Sequence, residues 1–416
     1  MRVKSKINFH SIPEPAKKNA KEAVFGRTKE KSIDKSSEIA LYYGFSPCEP
    51  PEITREDIAK SRALLGGEYP KDKENAFLSV FPEEKTAVLR HYAEKGMVSL
   101  PQPVMIRWGG PIIAHHGKKP ESREKFIGLE ILGTEKSVAE AIIIQASFLM
   151  LKEEGYKNIY IALNSVGDKE SVGKFSKELG NYCRQNLELL APQSREAVKK
   201  DSWALLKSSE EDCLSLRGSA PNPMSYLSDK SREHFKEVLE YMEMLNIPYR
   251  IESGLVGKKY FCSETVFEIR EAGETGKDPV LGCGCRYDGM AKRLGWRKDL
   301  PGVGLSLFFK KIANDPEKVK PVRLPKIYFI HLGFEAKLRS LEVIEILRKA
   351  EIPVYQSLSK DKMAVQVAMA ESMNVPYVII MGQKEAMEGS LIVRNMETRS
   401  QESVKVGELA AYLKKI

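Results

Sequence analysis

The residues of this chain whose type and spacing suit chemistry fall in short, separate stretches. His115 and His116 stand side by side in WGGPIIAHHGKKPESREKF, with Lys118, Lys119 and Arg123 close behind. Two adjacent imidazoles raise the question of a metal, but no third ligand lies at a ligating distance in sequence, and a solvated loop pair is the simpler reading. Cys283 and Cys285 make one C-x-C without the second ligand pair of a zinc site, so they read as two small buried side chains and no metal is expected. There is no Walker A sequence, no Gly-x-Gly-x-x-Gly after a strand and no Ser/His/Asp pattern in a credible context. Whatever chemistry the chain does, it does not use one of these common devices.

Charge carries more information through its placement than through its sum. The net charge of the 416 residues is +9, and residues 1–35 alone hold ten Lys/Arg against four Asp/Glu. Residues 323–416 hold fourteen against eleven, and residues 36–322 hold 42 of each. A partner that reads positive charge, such as RNA, would therefore meet the two ends of the chain. The simpler alternative is a solvated basic terminus. Six scattered cysteines fit a reducing compartment. No run approaches the roughly 20 apolar residues of a membrane span, and MRVKSKINFHSIPEP lacks the apolar core of a secretory signal. A cytoplasmic protein with no membrane association is expected.

The elements that must position these residues divide the chain in three. Residues 1–35 form a basic leader, 36–322 a large body and 323–416 a smaller unit. Helices are predicted over 36–44, 53–64 and 84–95, then a hairpin-like pair of apolar runs divided by Gly109, Gly110 and Pro111. A long helix over 137–154 feeds the strand NIYIALN, a helical excursion spans about 168–246, and strands return at YRIESGLVGKKYFCSETVFEI and DPVLGCGCRYDG. Hairpin-scale spacers favour an antiparallel sheet. PGVGLSLFFKKI reads as a glycine-rich turn into an apolar helix, followed by linker composition over about 313–325. Beyond Lys326, strand and helix alternate and end in a strand pair, SLIVRNM and QESVKV, and a helix. That order predicts a second, largely parallel α/β unit.

With this organisation in hand, GCGCRYDGM at 282–290 resembles the GGGRYDGL signature of histidyl-tRNA synthetases. SGLVGKKYFCSETVFE resembles that family's LVRGLDYYTGTVFE segment, and PGVGLSLFFKK its motif 3 entry. YYGFSPCEPPEI resembles motif 1 with Pro51 at the motif proline, FPEEKTAVLRHYAEKG the RPEGTA segment, and WGGPIIAHHGKKPESREKFIGLEILG motif 2. The likeness runs in order from about residue 38 into the last unit, where Gln366, Ala370 and IIMGQKEAMEG sit as in the family's anticodon-binding module. It implies an α+β fold: a class II synthetase antiparallel sheet with flanking helices, then an α/β anticodon-binding domain. It also implies ATP bent across the sheet face and a homodimer joined through motif 1.

Activating a carboxylate with ATP needs cations at the phosphates, and arginine suits the task because its fork is bidentate and always charged. At the three arginine positions that the resemblance assigns, this chain has Ala114, Gly257 and Lys311. Loss of one transition-state contact typically lowers rate roughly 10²- to 10³-fold, so activation by this chain is expected to be severely impaired. His115, His116, Lys118, Lys119, Arg123 and Lys311 are the cations available to compensate. The amino-acid pocket is mixed. Glu83, Thr86, Glu130 and Tyr287 match it, although one extra residue intervenes in PEEKT, whereas Tyr260, Phe261 and Cys262 replace the DYY run and Phe126 a glutamine. The resemblance therefore implies a catalytically degenerate relative that binds tRNA-like RNA, a protein partner, or both. One alternative is a divergent histidine–tRNA ligase using ATP and Mg. Another is a histidine-sensing regulatory subunit like the synthetase-like partner of ATP phosphoribosyltransferase, which lacks the last domain.

Overall fold

Extended runs buried on both faces, their side chains alternating between two cores, build the large sheet of the protein. The computed structural model describes residues 32–64, 82–110, 124–257, 260–273, 278–310, 320–321, 325–356 and 362–416. Strand β1 (Ser32–Ile33) leads into helix α1 (Lys35–Tyr42), strand β2 (Ser46–Pro47), and helices α2 (Arg55–Leu64) and α3 (Pro82–Glu94). Strands β3 (Val104–Gly109) and β4 (Glu124–Leu132), helix α4 (Val138–Glu153) and strand β5 (Ile159–Gly167) follow. Helices α5 (Lys169–Gln185), α6 (Pro192–Lys200), α7 (Glu211–Arg217) and α8 (Asp229–Met244) then precede strands β6 (Tyr249–Ile251), β7 (Ser263–Glu271), β8 (Val280–Arg286) and β9 (Gly302–Lys310).

These strands form one sheet in the order β2-β3-β4-β9-β8-β7-β5-β6. The edge pairs β2–β3 and β5–β6 are parallel, and the pairings between them are antiparallel. The expected helix in PGVGLSLFFKKI is a correction: Gly302–Lys310 is a central strand between β4 and β8. Val303, Leu305, Leu307 and Phe309 are buried in the core behind the sheet, while Gly304 and Ser306 face the other way. The period is two, and Phe308 on the second face hides it in the sequence.

Helix α4 is apolar on nearly every side because it lies across the sheet's back under α1 and α8, with Ile142, Ile143, Ile144 and Leu151 inaccessible to water. Each such side chain contributes about 1.5–3 kcal/mol relative to exposure. The helical excursion covers part of the opposite face, and its two ends are tied together. Asp168 caps α5 by accepting from the Ser171 amide, Ser228 caps α8, and Ser228 Oγ donates to Asp168 Oδ2 at 2.9 Å.

Strand β10 (Lys320–Pro321) pairs with β1, so residues 32 and 33 belong to the fold. The last part runs β11 (Ile327–His331), α9 (Phe334–Lys349), β12 (Val354–Gln356), α10 (Met363–Ser372), β13 (Tyr377–Met381), β14 (Ser390–Asn395) and β15 (Gln401–Lys405). Its sheet order is β12-β11-β13-β14-β15, parallel across β12, β11 and β13 and antiparallel through the final pair. Helix α9 packs on α1, α4 and α8, and its Leu341, Ile344 and Leu347 join the core behind the large sheet. Arg348 reaches Glu153 at 3.3 Å across this contact.

A buried ion pair locks the sheet to α4. Arg286, the arginine of RYDG, donates Nε to Glu140 Oε1 at 2.7 Å and Nη2 to Oε2 at 2.5 Å, and its remaining donors reach the carbonyls of Thr134 and Lys136. His234 Nε2 on α8 lies 2.7 Å from the same carboxylate. Burial alone would raise the Glu140 pKa, but Arg286 and His234 outweigh it and hold it at about 2. Burial works against the His234 cation, and Glu140 outweighs that and raises its pKa above 6.5. Glu140 therefore contributes stability fully present above its ordinary value of 4.5 and lost as pH falls toward 2. The His234 contribution is complete below 6.5 and fades as pH rises through its folded value. Thermal unfolding from acid to neutral pH should show Arg286→Met losing about 3–5 kcal/mol. His234→Gln should lose stability below pH 6.5 and converge on the wild type only as pH rises through the raised folded value; a deficit that grows with pH would contradict this pairing.

Candidate functional site

Glu130 projects from the middle of β4 toward the face opposite α4, opposite Ile106 on one side and Gly304 on the other. A Cβ added to Gly304 would sit 2.1 Å from Glu130 Oε2, and one added to Gly302 would sit 2.7 Å from the Tyr287 ring. The two glycines of PGVGLS therefore let side chains from β4 and from the end of β8 lie across β9. There Tyr287 donates its hydroxyl to Glu130 Oε2 at 2.6 Å, and both residues are fully buried.

The second oxygen of Glu130 is held by Lys85. This lysine comes from the first turn of α3, which starts at Pro82 and carries Glu83 and Glu84 beside it. Its ammonium forms an ion pair with Glu130 Oε1, lies 3.3 Å from Glu84 Oε1 and stands 5.8 Å from the Tyr287 ring centroid. Ser306 Oγ donates to Glu84 Oε1 at 2.5 Å. Burial disfavours the Lys85 charge, but Glu130 and Glu84 outweigh it and hold its pKa above the ordinary lysine value. Burial, then Glu130, push the Tyr287 phenol well above its ordinary value, so it stays a neutral donor.

Around this cluster the face is apolar or sulfur-lined. Trp108 lies across β4, where a Cβ on Gly128 would meet its indole at 2.1 Å. Cys285 and Cys262 adjoin each other, and burial raises the Cys285 thiol well above its ordinary value. Gly257 adopts the left-handed conformation with φ of +56°, and a Cβ there would lie 2.9 Å from Cys262 Sγ and 3.0 Å from Val266 Cγ1. At the sheet's far side Arg270 is committed to Glu268 at 2.6 Å and Glu252 at 3.0 Å.

Of the residues singled out from sequence, Glu130 and Tyr287 are brought into direct contact. Glu83 is buried at the start of α3, and Thr86 donates its hydroxyl to the Pro82 carbonyl at 2.7 Å, within its own helix. Gly257 stands beside Cys262. Ala114, His115, His116, Lys118, Lys119, Arg123 and Lys311 lie outside the described residues. Sequence reasoning missed Lys85, Glu84 and Ser306. Their trace was the extra residue in PEEKT and the alternate glycines ahead of Ser306. Among the described residues, no three or more His, Cys, Asp or Glu side chains are placed to hold a metal, and no helix is long and apolar enough to cross a membrane.

Residues 326–416 match the family described as an anticodon binding domain. The chain is 26% identical over 395 residues to a histidine–tRNA ligase of Dehalococcoides mccartyi, spanning 91% of this chain and 94% of that one. It is 28% identical over 352 residues to the histidine–tRNA ligase of Geobacillus thermodenitrificans, spanning 82% of each. In three dimensions it is similar to the apo histidyl-tRNA synthetase of S. aureus, with a TM-score of 0.50 at 20% identity, over 91% of this chain and 93% of that one.

The placement of Glu130 across a glycine can be checked by denaturant unfolding. Gly304→Ala should cost about 1–3 kcal/mol through overpacking. Gly173→Ala on α5, where an added Cβ meets nothing within 4 Å, should be neutral or stabilising. Equal stability for both variants would contradict the close approach at Gly304.

Proposed function

Because the chain belongs to the histidyl-tRNA synthetase family and carries its anticodon-binding domain, we propose that it acts by binding tRNA-like RNA and not by activating histidine. The observation that carries this reading is Gly257, at the position where the resemblance places the activating arginine. An arginine Cβ at φ +56° would press on Cys262 and Val266, so the local backbone is built for glycine. Charge stabilisation at the transferring phosphorus needs a free cation aimed at it. On the described face Lys85 is spent on Glu130 and Arg270 on Glu268 and Glu252. Committed in this way, these two described side chains do not fit the role of cations for ATP and Mg.

The cytoplasmic placement expected above and a homodimer joined through the segment around Pro51 belong to the same reading. Among the described residues, strand β2 is the edge strand of the sheet, beside β3, where a second copy would approach. RNA would meet positive side chains of the last domain such as Arg399, Lys414 and Lys415, which are exposed. Removing that domain whole is not a clean test, since α9 completes the core behind the large sheet. A divergent active ligase is the second reading. It is favoured by the retained contact between Glu130 and Tyr287.

ATP–pyrophosphate exchange separates the two. The purified protein should show none above background with histidine or any other standard amino acid, whereas turnover of about 1 per second or more, ordinary for enzymes, would establish the ligase. Sedimentation velocity at about 50 to 300 mM salt reads the rest. Alone, the protein should run near twice 46.9 kDa. With tRNA it should form a complex that weakens steeply with salt, and Arg399→Gln, Lys414→Gln and Lys415→Gln together should reduce the slope of log K against log salt by about 0.9 per lost phosphate contact. A monomer would overturn the dimer, and absence of any RNA complex would move the reading to a protein partner.

A further inference from the structure

We infer that the buried cluster of Glu130, Glu84, Ser306 and Tyr287 between α3 and the sheet face is a binding site for a primary alkylammonium group, and that Lys85 is its resident ligand, supplied by the chain itself. The inference rests on reading this face as the family's amino-acid pocket, and it deepens that reading: the pocket is filled from within, so the wild-type protein takes up neither histidine nor another amine there.

The groups are arranged as a site and not as a chance contact. Glu130 offers one oxygen to the ammonium while the other is fixed by the Tyr287 hydroxyl. Glu84 Oε1 accepts from both Lys85 and Ser306. Each carboxylate that holds the cation is thus oriented by a hydroxyl behind it, which is how a buried charge pair becomes tolerable. The Tyr287 ring stands beside the ammonium. Nothing about α3 itself calls for a cation, since the first turn of a helix disfavours positive charge; the attraction comes from the sheet. Room for the cluster exists because Gly302 and Gly304 remove side chains from β9. Without the lysine, a pair of buried carboxylates would face an empty space.

Lys85→Ala removes three methylenes and the ammonium, which is the shape of n-propylammonium. The variant should melt about 3–6 °C below the wild type. Titrated n-propylammonium chloride should raise its melting temperature saturably, as a ligand of the folded state does. Sodium chloride and 1-propanol at matched concentration should not, and the wild type should respond to none of the three. A Lys85→Ala melting temperature equal to the wild type, or equal effects of amine and alcohol, would overturn the inference. Should Lys85→Ala fail to fold, Lys85→Met is compared with Lys85→Met combined with Glu130→Gln. The double variant should melt above the single one, because it removes the uncompensated carboxylate, and a double variant no better than the single one would overturn the inference. Neither measurement involves RNA, so failure of RNA binding and failure of this site are separate results.

Discussion

A carboxylate in the centre of a sheet, out of reach of water, needs a cation to remain ionised. Glu130 finds Lys85, and much of the surrounding architecture follows from accommodating that pair. β9 carries glycine at 302 and 304 so that Tyr287 and Glu130 can cross it. α3 points its first turn into the sheet so that the lysine arrives from above, with Glu84 and Ser306 completing its shell. Remove the pair, and there is no reason for this part of the chain to place three charged side chains where only apolar ones would otherwise stand.

The two faces of the sheet solve the same problem in opposite settings. Behind it, Arg286 and Glu140 are bidentate, capped by backbone carbonyls and shared with His234, and they join β8, α4 and α8 into one unit. In front of it, Lys85 and Glu130 join α3 to β4. The rear pair carries Arg286, the arginine of the stretch that resembles a synthetase signature, and its contacts here are structural. A signature can therefore persist because the fold needs it, whether or not the chemistry does.

Much of the fold was legible in the sequence because its periods are clean. The alternation of strand and helix after Lys326 gave the last domain, and the apolar length of residues 138–153 gave α4. PGVGLSLFFKKI misled because Phe308 falls on the site face between Leu307 and Phe309 of the rear core, blurring a period of two. The site was half legible. Glu130 and Tyr287 could be named from resemblance, but the partner that neutralises them could not, since Lys85 reads as one more charge in an amphipathic helix and 45 residues separate it from Glu130. Only the extra residue in PEEKT marked the place. The meaning of Gly257 likewise depended on its positive φ and on Cys262 beside it, neither of which a sequence displays.

On the proposed reading, Lys85 on Glu130 and glycine at 257 close this face to aminoacyl adenylate. Calorimetric titration of the wild-type protein with the non-hydrolysable sulfamoyl analogue of histidyl adenylate tests it most directly, because the analogue engages the amino-acid and nucleotide positions together without requiring turnover. No saturable heat is expected from a preparation that still binds tRNA. Saturable binding at one analogue per protomer would contradict it and restore the face as a working synthetase site.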